Sequence, residues 1–417
     1  MFFKRFPANF WSVIMMEFFE RGAYYGLLSV LSVYLALSKA DGGLGFSKIS
    51  IGIIKSTIQP ILYGLPIISG ALAERYGYKP FLLFSFLSLF FGYFLSGIVE
   101  SYSSIFLTLV IMAIGAGFFK PIIVATIGRT VDEKDLTYAF GIYYWSINLG
   151  ATIFPFLVGY IKSYSYRYVF LLSALLSLIM FIPGILFFKE PKRQKNLKPL
   201  SQIFKEIILV LGDFKFIGLI FIYSIGFWVL YFQMYDAVLW YFKDYINMGP
   251  IDNFISKIFK IKFQFNEAHI TVLNAFTIIM LQIIVSKIVN KFKALPTMIV
   301  GILIAIFGMF IFGYFHSPYT FLLGVFIFSI GEMVAHPKFI SYISLISPDD
   351  KKAMYIGFLF LYGVIGSGIG GILSGISYHY FVEIKGSPRA MWTFFCLIGF
   401  ISIFGLFLFN KFIKKKK

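Results

Sequence analysis

Long apolar runs, broken only by short polar joints, constrain this chain more than any other feature. They fall at about 10–38, 50–73, 79–99, 104–127, 138–162, 168–188, 213–242, 267–290, 296–315, 319–346, 353–381 and 389–411. A helix of roughly 20 apolar residues crosses the hydrocarbon core of a bilayer. The runs therefore predict an all-α polytopic membrane protein of twelve transmembrane helices. Apolar residues make up 59% of the chain and charged residues 13%, which excludes the even mix of a soluble globular domain.

The net charge of +18 could suggest a nucleic-acid partner, but the basic residues follow topology instead of forming one patch. With the N-terminus inside, the inner side carries 23 of the 37 Lys and Arg, the outer side ten, and the spans themselves hold Arg21, Lys55, Lys120 and Lys338. The positive-inside rule then puts both termini in the cytoplasm, with the protein in the cytoplasmic membrane. The lone cysteine, Cys396, lies in the last span, so no intramolecular disulfide and no thiol metal site are expected. The first apolar run is too long and too charged for a signal peptide. After six spans comes the run Lys189-Glu190-Pro191-Lys192-Arg193, charged and proline-bearing. It reads as a cytoplasmic linker over 190–211 joining two six-helix bundles, 1–189 and 212–417.

The first span is unusual. It carries Glu17-Phe18-Phe19-Glu20-Arg21-Gly22-Ala23-Tyr24-Tyr25-Gly26. An ionisable residue at the centre of a membrane helix costs roughly 2.5–3.5 kcal/mol on insertion scales. At 100° per residue Glu17, Glu20, Arg21, Tyr24 and Tyr25 share one face, which must line a polar interior. An internal ion pair pinning neighbouring helices is the plainer reading; a functional cavity is the sharper one.

This decapeptide resembles the Glu-x-x-Glu-Arg-Phe-x-Tyr-Tyr-Gly signature of proton-dependent oligopeptide transporters, a branch of the major facilitator superfamily. Gly22 stands where that family has Phe. Three further motifs carry the resemblance. Gly70-Ala71-Leu72-Ala73-Glu74-Arg75-Tyr76-Gly77-Tyr78-Lys79 is similar to the superfamily's loop between its second and third helices, with Gly77 making the turn. Gly115-Ala116-Gly117-Phe118-Phe119-Lys120-Pro121 resembles Gly-x-Gly-x-x-Lys-Pro. Tyr143-Tyr144-Trp145-Ser146-Ile147-Asn148-Leu149-Gly150 resembles Phe-Tyr-x-x-Ile-Asn-x-Gly. The resemblance implies the major facilitator fold and a set of roles. Glu17, Glu20, Arg21 and Lys120 would take part in proton coupling. Arg21, Tyr24, Tyr25, Tyr63, Lys120 and Asn148 would border a peptide site. Lys120 and Glu17 each lie about seven residues from the inner end, at 1.5 Å per residue about 10 Å deep, so a cross-helix ion pair is allowed.

The second half is less faithful. Phe227-Trp228 to Phe232-Gln233 resembles Phe-Trp-x-x-x-Glu-Gln, with Phe232 replacing the family's carboxylate. Asp236 follows four residues on, expected on the same helical face, one turn outward and in a wetter place, as the acid nearest to replacing that carboxylate in proton coupling. Asn274 stands where relatives have a substrate-facing Asn. Gly331-Glu332 leads to His336-Pro337 and Ser347-Pro348, with Glu332 at the midplane where relatives bind a peptide's amino terminus. The amphipathic stretch from Met248 to Ala268 is expected on the outer membrane surface. Leu28 stands where many peptide transporters carry a second arginine.

These residues predict a secondary transporter importing di- and tripeptides with protons by alternating access, using no cofactor beyond the proton gradient, embedded in lipid as a monomer. A transporter of another small solute such as a drug or organic anion, exported against protons, is the alternative. No motif pairs a nucleophile with a base or spaces metal ligands, so an enzyme is not expected.

Overall fold

The computed structural model describes residues 6–191, 200–347 and 352–414. Residues 192–199 of the expected linker, and Pro348, lie outside them. Among the described residues the chain is an all-helical membrane protein. Ten helices are long and apolar enough to cross a membrane, and the bent pair Lys48–Gly64 and Pro66–Tyr76 makes an eleventh. Helix Ala8–Ala36, 29 residues long, completes the twelve spans and carries Glu17, Glu20 and Arg21.

By packing, the chain divides into two units, one of Met1–Leu44 with Thr57–Ile207 and one of Gly45–Ser56 with Ile208–Lys417. The second span is thus divided between them. In the second unit its N-terminal part packs on the eleventh span, Tyr355–Ile384, through glycines. A Cβ on Gly52 would stand 2.5 Å from the Gly371 carbonyl oxygen, so only glycine permits that approach.

Where spans bend, the cause is local. The second span carries Pro60 and breaks by 40° between Gly64 and Pro66, because proline removes a backbone donor and clashes with the preceding turn. The seventh span, Phe214–Tyr245, widens into a π-helical turn at Ser224–Trp228 and interrupts its ladder at Asp236. Such π-turns and interruptions in a span are frequent at functional sites. At the C-terminal end of the second span Gly77 adopts φ +116°, the conformation the turn was expected to need of a glycine.

The expected surface segment after the seventh span forms the helix Gly249–Phe259. Its Phe254 and Ile258 are exposed, and Asp252 accepts a hydrogen bond from the Phe265 amide at 2.7 Å.

Candidate functional site

In the first unit the charged face of the first span is wholly enclosed. Glu17 and Glu20 are 0% exposed and Arg21 is 3% exposed. Arg21 donates to Glu20 through Nε and pairs with it again through Nη2, and its Nε lies 3.5 Å from Glu17 Oε1. The i,i+4 spacing puts Glu17 and Arg21 on one helical face, and the long, forked guanidinium also reaches the adjacent Glu20. The same guanidinium stands 5.1 Å from the Tyr24 ring centre and 5.9 Å from that of Tyr25, distances at which a ring face attracts a cation. Tyr143 of the fifth span stands beside the Glu17 carboxylate. Lys120 is within electrostatic reach of Glu17, Glu20 and Arg21. Two acids and two bases then cancel in formal charge, the condition under which a buried cluster avoids most of the cost of burying charge.

Lys120 sits in the fourth span, Tyr102–Thr130, with its ammonium 5.3 Å from the Tyr63 ring centre. The adjacent Pro121 is inside the helix and offers no N–H to the Gly117 carbonyl one turn back. Ser69 of the second span supplies that bond instead, its hydroxyl donating to Gly117 O at 2.7 Å. The bend of the second span and the proline of the fourth therefore fit each other, and Tyr63, just before the bend, is brought over Lys120. Asn148 is nearly buried and donates to Tyr144 O of its own helix at 2.9 Å, leaving its Oδ1 to serve as an acceptor.

The departure at Gly22 has a steric counterpart. A Cβ there would stand 2.1 Å from Phe154 of the fifth span, so Phe154 fills the space that a larger residue at position 22 would need.

At the end of this unit where the second span meets the third, Glu74 pairs with Arg129 at 2.5 Å and accepts from Tyr78. Glu190 accepts from the Tyr78 and Lys79 amides at 2.7 and 2.9 Å. It thereby satisfies orphan donors at the start of the third span, Tyr78–Ser96. Asn9 exchanges two bonds with the Lys189 backbone, at 2.9 and 3.0 Å. The end of the sixth span is thus tied to the starts of the first and third.

In the second unit Asn274 and Glu332, placed separately by the sequence, come together. Asn274 Nδ2 donates to Glu332 Oε2 at 3.1 Å and to Ser329 Oγ at 2.9 Å. His336, one turn from Glu332, packs edge-on against Trp228 and Tyr362, with ring centres 5.1 and 5.3 Å away. Its Nδ1 has no hydrogen-bond partner among the described residues, so His336 serves here as a packing residue. Lys338, the remaining cation of the tenth span, donates to the Phe292 carbonyl at 2.8 Å.

Asp236 differs from expectation. The helical register does not continue from Phe232: Met234, Tyr235 and Asp236 each donate to the residue three back, and Asp236 has φ −132° and ψ −91°. It is therefore not on the Phe232 face one turn outward. It is also not in a wet place: it is 1% exposed, and its Oδ1 lies 3.0 Å from Nζ of Lys55, itself 0% exposed. Nearby, Lys48 stands 4.9 Å from the Trp240 ring centre and 5.3 Å from that of Tyr378. The sequence signal for this pair was present, since Lys55 is a lone cation within a span and such a residue requires an acid.

These enclosed charges on broken helices belong to a twelve-span integral membrane protein. The Major Facilitator Superfamily profile matches residues 10–256 and 237–417, and the chain belongs to that superfamily. Its similarity to the peptide-transporter branch is equally plain. A protein named "Dipeptide and tripeptide permease A" from Yersinia pestis is 29% identical over 237 residues, covering 55% of this chain and 45% of that one. An "Uncharacterized transporter YclF" from Bacillus subtilis (strain 168) is 31% identical over 182 residues, 42% of this chain and 37% of the relative. These alignments span less than half the length of the curated relatives. A crystal structure of the peptide transporter POT in complex with sulfate superposes with a TM-score of 0.82 at 18% identity, covering 98% of this chain and 95% of that one. At that identity the superposition shows the fold.

Proposed function

We propose that this protein is a proton-coupled symporter of di- and tripeptides, working by alternating access in the cytoplasmic membrane with both termini in the cytoplasm. It acts as a monomer and draws only on the proton gradient. The observation that carries this reading is the enclosed cluster of Glu17, Glu20 and Arg21 within reach of Lys120. Two carboxylates balanced by two cations can take up or release one proton with a change of net charge that a neighbouring ligand charge can offset. The cluster supplies proton acceptors, while Arg21, Tyr24, Tyr25, Tyr63, Lys120 and Asn148 supply groups for a peptide's carboxylate and amides. Asn274 and Glu332 supply an acceptor for a cationic amino terminus. Hydrogen bonds to backbone read no side chains, which suits a broad substrate range. The names of the permeases similar to this chain support the same substrate class.

One proton entering down about 150 mV supplies roughly 3.5 kcal/mol, enough for several-hundredfold accumulation. The test is uptake of labelled dipeptide into proteoliposomes under an imposed inward proton gradient. Accumulation that collapses with a protonophore is the expected result. Absence of uptake, or gradient-driven efflux, overturns the proposal. Phe232 in place of a carboxylate and Leu28 in place of an arginine favour a second reading, a transporter of another small solute such as a drug or organic anion. The same liposomes decide between them by competition with such solutes.

A further inference from the structure

A cavity lies in the first unit between the first four spans, outward along the first span from Glu20 and Arg21. Its walls are mostly apolar, including Leu27, Leu28 and Met112, yet Gln59 and Tyr93 also line it. Gln59 is 3% exposed and Tyr93 0%. Neither Gln59 Nε2 nor the Tyr93 hydroxyl has a hydrogen-bond partner among the described residues. A buried donor left unsatisfied is costly, and two such groups meeting at one cavity point to a shared partner. The space open to the centre of a water molecule is about 10 Å³, close to the roughly 10–15 Å³ that one buried water needs. Tyr24, on the same wall, adds a third polar group. Tyr93 also stands within electrostatic reach of Glu20 and Arg21.

We propose that this cavity is a built site for one water, which accepts from Gln59 Nε2 and shares a hydrogen bond with the Tyr93 hydroxyl. Through this water the Glu20 end of the charged cluster exchanges its proton on the outward side. Tyr93 is then a positioning residue: it holds the water, and the water passes the proton. The relay rests on the proton-symport reading; the water site itself does not.

The experiment uses full-length Tyr93→Phe, Gln59→Leu and the double variant, read by thermal unfolding and by transport in liposomes. With a bridging water, each single change strands the other group and lowers the unfolding temperature, while the double loses less than the two singles together. A dry cavity gives the opposite sign, since Tyr93→Phe then removes an unsatisfied hydroxyl and leaves stability equal or higher; that result overturns the site. For the relay, Tyr93→Phe is expected to lose most gradient-driven accumulation while peptide exchange continues, because exchange needs no net proton movement. Parental accumulation in that variant overturns the relay. If the parental protein itself shows no gradient-driven accumulation, the symport reading fails, and the unfolding cycle still decides the water.

Discussion

Removing Lys55 should expose how strongly the second unit depends on one enclosed ion pair. Lys55 and Asp236 are 3.0 Å apart, at 0% and 1% exposure. At an effective dielectric near 20, unit charges at that separation attract by about 5 kcal/mol. Much of this offsets the cost of taking both ions out of water, so the pair contributes little net, whereas breaking it strands a buried charge at a cost of about 3–5 kcal/mol. Lys55→Ala and Asp236→Asn should therefore each lower the unfolding temperature in detergent markedly. Lys55→Met combined with Asp236→Leu should restore it to the parental value or above. With Lys55 as its partner, Asp236→Asn should impair both accumulation and exchange through loss of stability. If the double apolar variant is restored in stability and still accumulates peptide, Asp236 is structural. If it is stable and exchanges but does not accumulate, Asp236 belongs to the proton path. The reasoning fails if Lys55→Ala unfolds at the parental temperature, or if the double variant is as unstable as either single.

Other outcomes follow from the same geometry. Lys120→Ala leaves the first-span cluster with an uncompensated negative charge and should abolish gradient-driven uptake; unchanged uptake would remove Lys120 from the coupled cluster. If Glu332, held by Asn274, receives a cationic amino terminus, N-acetylated dipeptides should compete poorly with labelled dipeptide. Equal competition by acetylated and free forms would detach Glu332 from that role.

The legibility of this chain divides along physical lines. Span number was readable because apolar runs of membrane length are long-range patterns that no local detail disturbs. The charged face of the first span was readable because an unbroken helix fixes which residues share a side, and the structure encloses Glu17, Glu20 and Arg21 together. Asp236 was misplaced because the same periodicity was carried through a break that nothing in Phe232 to Asp236 announces: no proline or glycine stands there. The meeting of Asn274 with Glu332 and of Lys55 with Asp236 needed tertiary structure, since each pair is more than fifty residues apart in sequence. Burial still gave a partial signal, because an ionisable residue within a span demands a partner. The four such cations are each accounted for: Arg21 by Glu20 and Glu17, Lys55 by Asp236, Lys120 by the cluster and the Tyr63 ring, and Lys338 by the Phe292 carbonyl.

The departure at Gly22 shows how a substitution within a motif can be compensated by a residue outside it. Phe154 occupies the volume beside Gly22, its ring tilted against Phe18 and Phe19 with centres 5.3 and 6.3 Å away. Here the fifth span supplies the aromatic bulk at this place: a methyl at position 22 would meet the Phe154 ring at 2.1 Å. Overfilling a packed interior costs about 1–3 kcal/mol and sometimes more, whereas swaps that conserve total volume cost less than about 1.5 kcal/mol. Gly22→Phe alone should therefore destabilise the first unit and reduce the yield of folded protein. Gly22→Phe with Phe154→Gly restores both the motif and the volume, and should recover much of the lost stability. Thermal unfolding of the two variants beside Phe154→Gly alone checks this. If the double variant is no better than Gly22→Phe, the two positions are not exchanging volume, and Gly22 is required for the close backbone approach of the first and fifth spans. That approach is visible one turn inward, where a Cβ on Gly150 would stand 2.6 Å from the Phe18 carbonyl oxygen.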